Sequence, residues 1–391
     1  MLMDVGYSVA WDANGDVVVA GYFTGGVSWG LLENVFVAKY SGASGSELWS
    51  RIIGGSSSDF GRSVAFDTNN DVLLTGSFRS SVWFGAIDPQ YGSPGPPVLS
   101  SSGQDDVLVM KLSGGDGSTL WVGQLGGSGS DQGRVIAADA LGNVFVAGSF
   151  QGTVNFGNGP VTSVGSDDGF LAKLSGVDGS SIWSLQFGGL DSDRASHLAV
   201  TGSSDVILTE IVGSEVHLGK VSGANGSPDW TRNLGLADTF TGHPVAVDLN
   251  GDVFIARLPG ALVAKTSGAD GTSMWLVNGT ALVASSVQVD GNGNVLVVGD
   301  FWEATAIVDG VLLPNLGQSD VFAASFSGVD GSYRWSRRFG GSGNEHSIGA
   351  VVDGNGDAFL TGWFGGTADL GAGVHTSAGQ SDILVLKFRG R

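Results

Sequence analysis

Apolar residues in this chain alternate with small or polar ones over short stretches, as in Ser63-Val64-Ala65-Phe66 and Asp71-Val72-Leu73-Leu74-Thr75, and no window holds a helical period. The pattern predicts short, half-buried strands. A D-x-x-G-D/N turn joins two such strands at Asp12, Asp67, Asp139, Thr201, Asp248, Asp290 and Asp353, the fourth copy being degenerate. These anchors repeat with a mean period of about 57 residues, close to the ~50 of kelch blades. A Gly nine residues after the anchor recurs as Gly21, Gly76, Gly148, Gly299 and Gly362, with Glu210 and Arg257 in the fourth and fifth copies.

A second block follows in each copy. It opens on a D-x-F/L-x-A-K strand whose lysines, Lys39, Lys111, Lys173, Lys220, Lys265 and Lys387, are all the lysines of the protein, with Ser325 in the sixth copy. Five residues on come Asp116-Gly117, Asp178-Gly179, Asn225-Gly226, Asp270-Gly271 and Asp330-Gly331, with Ser44-Gly45 in the first copy. Such pairs supply the positive φ of two-residue hairpins. Ten residues after each lysine position stands a Trp: Trp49, Trp121, Trp183, Trp230, Trp275 and Trp335. Each unit thus has four antiparallel strands, A to D in chain order. Repeated seven times within residues 1–391, they predict an all-β fold, a single seven-bladed β-propeller domain. An open solenoid is the less favoured arrangement, because its units are usually shorter. The expected total is about 27 strands, since after Lys387 only Phe388-Arg389-Gly390-Arg391 remain and the last blade lacks its Trp strand. The chain therefore reads as incomplete, with an N-terminal truncation as one explanation. An open edge on that blade would favour self-association.

At these residues the chain resembles the bacterial SBBP seven-bladed propeller repeat family, through V-A-x-D-x-x-G-D-V-x-x-A-G-x-F at Val9 to Phe23 and D-x-F-V/L-A-K-L-S-G at Asp168 to Gly176. The resemblance implies the fold and a cell-surface or extracellular placement, and no particular ligand. The stretch Asp178 to Trp183 is also similar to the tryptophan-docking segment of quinoprotein propellers, although the axial metal-and-quinone constellation of those enzymes cannot be located in this sequence. The Trp residues, with Gly117, Gly179, Gly226, Gly271 and Gly331, are read as interblade packing.

Composition narrows the function. The 67 Gly among 391 residues fit a turn-rich repeat, and 38 acidic against 18 basic residues give a net charge of -20, which argues against a nucleic-acid partner. No cysteine is present, no run is long enough to span a membrane, and the opening MLMDVGYSVAWDANG lacks the features of a signal peptide. His197, His217, His243, His346 and His375 fall at unrelated positions of the unit, so no catalytic set is assigned.

Strand direction sorts the loops. The A–B and C–D turns share one face, and the B–C loops and D–A connections share the other. From the position nine after the anchor to the lysine position, the intervals are 18, 35, 25, 10, 8, 26 and 25 residues, so length variation falls on the second face. Recognition is expected there. The Gly85 to Gln104 insertion, with Pro89, Tyr91, Pro94, Pro96 and Pro97, is the longest, and copies four and five should leave a notch. Eight residues before the anchor stand Asp4, Asp59, Asp131, Asp193 and Glu345. In a closed ring they would converge at the channel mouth, where oxygen ligands suit Ca²⁺. The competing reading has each carboxylate capping backbone amides of its own turn, or pairing with Arg62 and Arg134 in two copies. The lysine stems are expected to cover apolar surface, with the ammonium reaching solvent or a carboxylate. The expected function is a binding or surface scaffold for a protein or glycan. The alternatives are a polysaccharide-acting enzyme and a lectin-like module on the same face.

Overall fold

The computed structural model describes residues 4–24, 32–84, 99–236, 242–258, 261–353, 356–371 and 373–390. Its fold is all-β and largely antiparallel, and it resembles a β-propeller. The second unit shows the pattern: strands Phe60–Phe66, Val72–Trp83, Leu99–Leu112 and Thr119–Leu125 pair in sequence order. The third unit repeats it with Gln132–Ala138, Val144–Phe150, Asp168–Leu174 and Ser181–Phe187. The last ladder has three strands among the described residues, Glu345–Val352, Ala358–Phe364 and Asp382–Phe388.

The core lies between units, because the central strands of each sheet, such as Val144–Phe150 and Asp168–Leu174, are buried on both faces. One cluster joins the first and second units through Val37, Trp49, Leu74 and Met110. Others join successive neighbours. A seventh joins the last unit to the first through Phe359, Val9, Val17 and Val19. Packing the sheets face to face in this way leaves short edges rather than long open ones.

Two expectations need correction. The described residues form 34 strands rather than about 27, and the additional ones are short strands in the loops, mainly the hairpins Thr153–Asn155 with Pro160–Thr162, Thr305–Val308 with Val311–Pro314, and Thr367–Asp369 with Val374–Thr376. These hairpins strap back onto the preceding unit, at Gly127–Val154, Gly279–Val308 and Gly340–Asp369. In the fourth and fifth units the B and C strands follow one another almost directly, Val206–Val212 with Glu215–Val221 and Val253–Leu258 with Ala261–Thr266, and no such hairpin forms. Most of the Gly85 to Gln104 insertion lies outside the described residues.

The C–D turns are not two-residue hairpins. Ser113 and Ser118 close a four-residue loop in which Gly117 alone takes positive φ, while the Asp116 carboxylate accepts the Ser118 amide and hydroxyl. Of the two destinations expected for the lysine ammonium groups, the buried copies take the carboxylate. Lys111 is 7% exposed, its Nζ lies 2.7 Å from Asp67 Oδ2, and it donates to the Gly176 carbonyl of the next unit at 3.1 Å.

The lysine latch repeats. Lys39 joins Asp12 to the Gly114 carbonyl, Lys173 joins Asp139 to Gly223, and Lys265 joins Asp248 to Gly328. Lys387 of the last unit donates to Gly42 of the first. The same carbonyls accept Nε1 of Trp49, Trp121 and Trp183, while Trp230 donates to Gly268 and Trp335 to Gly390. Five of these indoles lie on the next unit's turn glycine: a Cβ added at Gly117 would stand 2.6 Å from Trp49, and at Gly179, Gly226, Gly271 and Gly331 it would meet Trp121, Trp183, Trp230 and Trp275.

Candidate functional site

The innermost strand of six units carries a β-bulge at one register, five residues before the anchor. Pairing skips Tyr7, Arg62, Arg134, Ser196, Ser285 and Ile348. The equivalent in the fifth unit is His243, which precedes the ladder beginning at Val245. A bulged residue has no ladder partner, and its side chain is re-aimed. The recurrent Gly opposite is required by the close approach that results. A Cβ at Gly76 would lie 1.8 Å from the Phe60 carbonyl oxygen, and at Gly148 1.9 Å from that of Gln132. Where Arg257 replaces this Gly, its own φ is 65°.

The bulged side chains surround a cavity of about 410 Å³, lined by residues from all seven repeat copies. It opens at the end where the A strands begin and the B strands finish, which is the face of the variable loops. Arg62, Arg134, Arg194 and Arg257 line it together, with His197, Trp302 and His346. Burial lowers the Arg62 guanidinium, and it pushes Arg134 down to about 10, with Arg62 and Arg194 adding repulsion. Burial also pushes His197 down to about 4, helped by His243 and Arg257, so this imidazole is neutral near pH 7. Asp300 is the only carboxylate among the described lining residues. It is already engaged: Oδ1 accepts the Ser347 amide and hydroxyl at 2.7 and 2.8 Å, and Oδ2 lies 3.0 Å from His346 Nδ1.

The acidic register does not share this cavity. Asp59, Asp131, Asp193 and Glu345 are fully buried, each in the connection between two units. Asp131 accepts the Gly127 amide at 2.7 Å and the Gln151 amide at 3.1 Å. Asp193 accepts from Gly189 and Gly213, Asp59 from Arg79, and Glu345 from Gly341. The side chain of Asp4 lies outside the described residues. Burial raises Asp59 and Glu345 to about 7 and Asp131 to about 6. Pairing with Arg62 and Arg134 is not seen, and among the described residues no group of three or more His, Asp or Glu could hold a metal ion. The described carboxylates of this register thus cap amides of their own connections, and the cavity is lined by the bulged register three residues later.

Reading the acidic register missed the cavity-lining one three residues later. A signal for it was present, since a Gly recurring inside a strand marks a bulge or a close backbone approach.

Comparison with known proteins agrees with the repeat. Residues 48–77 and 120–149, each running from a D strand through the A strand into the B strand of the next unit, match the SBBP beta-propeller repeat. The chain carries SBBP-type β-propeller repeats. Among solved structures it is similar to the WD40 beta propeller domain of Doa1, with 11% identity, 91% of this chain and 88% of that one covered, and a TM-score of 0.51. BamB from Moraxella catarrhalis shares 14% identity over 100% of this chain and 91% of that one, with a TM-score of 0.42. No curated protein matches the chain. The SBBP matches span the Trp strand, the inter-unit connection and the bulged A strand, the segments that carry the packing and the cavity lining.

Proposed function

We propose that the protein is a seven-bladed propeller, its last blade of three strands, that serves as a non-catalytic binding scaffold for a protein or glycan at the cell surface or outside the cell. Recognition is through the face of B–C loops and D–A connections. The observation that carries this reading is the 410 Å³ cavity opening on that face, since a concave site bordered by loops of unequal length on a fixed frame is where ligands usually bind. Trp302, half-exposed at the rim, and the exposed Leu312 on a strap hairpin offer apolar contact there.

The test is a glycan array run in parallel with a hydrolysis assay. Binding without turnover, lost in Trp302→Ala with Leu312→Ser and kept in the turn-face variant Leu249→Ser, supports the reading. Turnover would replace it with the polysaccharide-acting enzyme.

A further inference from the structure

We propose that the cavity on the loop face is a site for one small oligoanion, a molecule bearing two or more carboxylate or phosphate groups, held by Arg62, Arg134 and Arg194. This rests on the binding reading above and names the chemistry of its ligand.

Three observations converge. First, the protein carries a net charge of -20, yet these three arginines from consecutive units line one concavity. None of the three makes an ion pair among the described residues, although acidic residues outnumber basic ones about two to one. Second, their polar contacts are few. Arg134 donates to Gln132 Oε1 at 3.2 Å and Arg62 lies 5.5 Å from the Phe60 ring, while the Nε atoms of Arg62 and Arg134 are buried without any hydrogen-bond partner. A buried N–H left unpaired is costly, and a native fold that keeps two in one cavity calls for an explanation. Third, a bulge aims Arg62 and Arg134 inward, and Arg194 is held in a regular ladder opposite Ile211, so the cluster is built by the backbone and does not result from loose surface side chains.

The chemistry of the ligand follows. A guanidinium presents a planar fork of donors that matches carboxylate and phosphate oxygens in two parallel hydrogen bonds. Three mutually repelling cations are best relieved by one molecule with several negative charges. A volume of about 410 Å³ suits a small molecule. The lining carboxylate that could compete, Asp300, is held by His346 and Ser347 on the far arc.

Calorimetric titration and thermal melting of the full chain with citrate, with pyrophosphate, and with NaCl at matched ionic strength test the proposal, the first two separating carboxylate from phosphate recognition. The expected result is one site per chain for at least one oligoanion, a raised Tm that NaCl does not reproduce, and a loss of about tenfold or more in affinity for R62Q/R134Q. Arg334→Gln, on an exposed outer-strand residue, should bind like the parent. Because R62Q/R134Q removes repulsion, its unliganded Tm should equal or exceed that of the parent, so lost binding is not lost folding. Should it fail to fold, Arg194→Gln is read instead, with a loss of about threefold to tenfold expected. The proposal falls if neither oligoanion exceeds matched NaCl, or if the arginine variants bind unchanged. In that case retained partner binding that still depends on Trp302 would leave the scaffold reading standing. Oligoanion binding with no effect of Trp302→Ala and Leu312→Ser on partner capture would keep the site and discard that reading.

Discussion

Cations at the two ends of the repeat are treated in opposite ways. On the turn face Lys39, Lys111, Lys173 and Lys265 are buried, each bound to the anchor carboxylate of its own unit and to a carbonyl of the next. On the loop face Arg62 and Arg134, half-buried and with their Nε atoms fully covered, stand beside one another with no carboxylate partner. A paired buried charge fixes geometry, whereas an unpaired one stores repulsion that a ligand can relieve. The first arrangement is that of a frame, and the second is that of a site.

The largest effect should come from breaking a latch. Lys111→Met leaves the Asp67 carboxylate, with its Asp71 neighbour, buried and uncompensated, and should cost about 3–5 kcal/mol in a urea melt. Adding Asp67→Asn should recover part of that loss, and no recovery would show that the lysine acts through packing alone.

Next comes the turn glycine beneath the indole. Gly179→Leu would place a Cβ 2.9 Å from Trp121 at a φ of +75°, and should cost about 1–3 kcal/mol by the same measurement. An unchanged midpoint would remove the indole–glycine contact from the account of the frame.

The pH dependence sharpens the contrast. Asp59, Asp131 and Glu345 hold protons more tightly in the fold than in the unfolded chain, because burial raises them to about 7, 6 and 7. Their contribution is complete below the ordinary carboxylate range and is lost as pH rises through about 6 to 7. Thermal stability should therefore increase from about pH 8 to pH 5, and Glu345→Gln should flatten that slope. His197, pushed down to about 4, works against the trend below about pH 6.5. A Tm that falls steadily from pH 8 to pH 5 in the parent would contradict this assignment.

The smallest effect has the opposite sign from the first. Arg134→Gln should stabilise the unliganded protein, by about 1 kcal/mol or less, because it removes a half-buried, repelled charge, where Lys111 is a buried and paired one. Destabilisation as large as that of Lys111→Met would erase the distinction between the two ends.

The sequence by itself determined what neighbours along the chain decide. Alternation gave the strands, the Asp-Gly and Asp-x-x-Gly turns gave their antiparallel order, and the period gave the repeat and the positions at which loop length varies. Those features depend on backbone preferences and side-chain direction within a few residues. What the lysines and arginines do was decided by tertiary structure. Lys39 meets Gly114 across 75 positions, and Lys387 meets Gly42 across 345. Arg62 and Arg134 come together only because a bulge at each turns the side chain toward a common axis. The repeated Gly opposite the bulge was visible as a pattern, but its cause is a backbone oxygen less than 2 Å from where a Cβ would stand at Gly76 and Gly148. One-dimensional spacing carries no information about which distant unit supplies a neighbour, and so none about which charges end up paired.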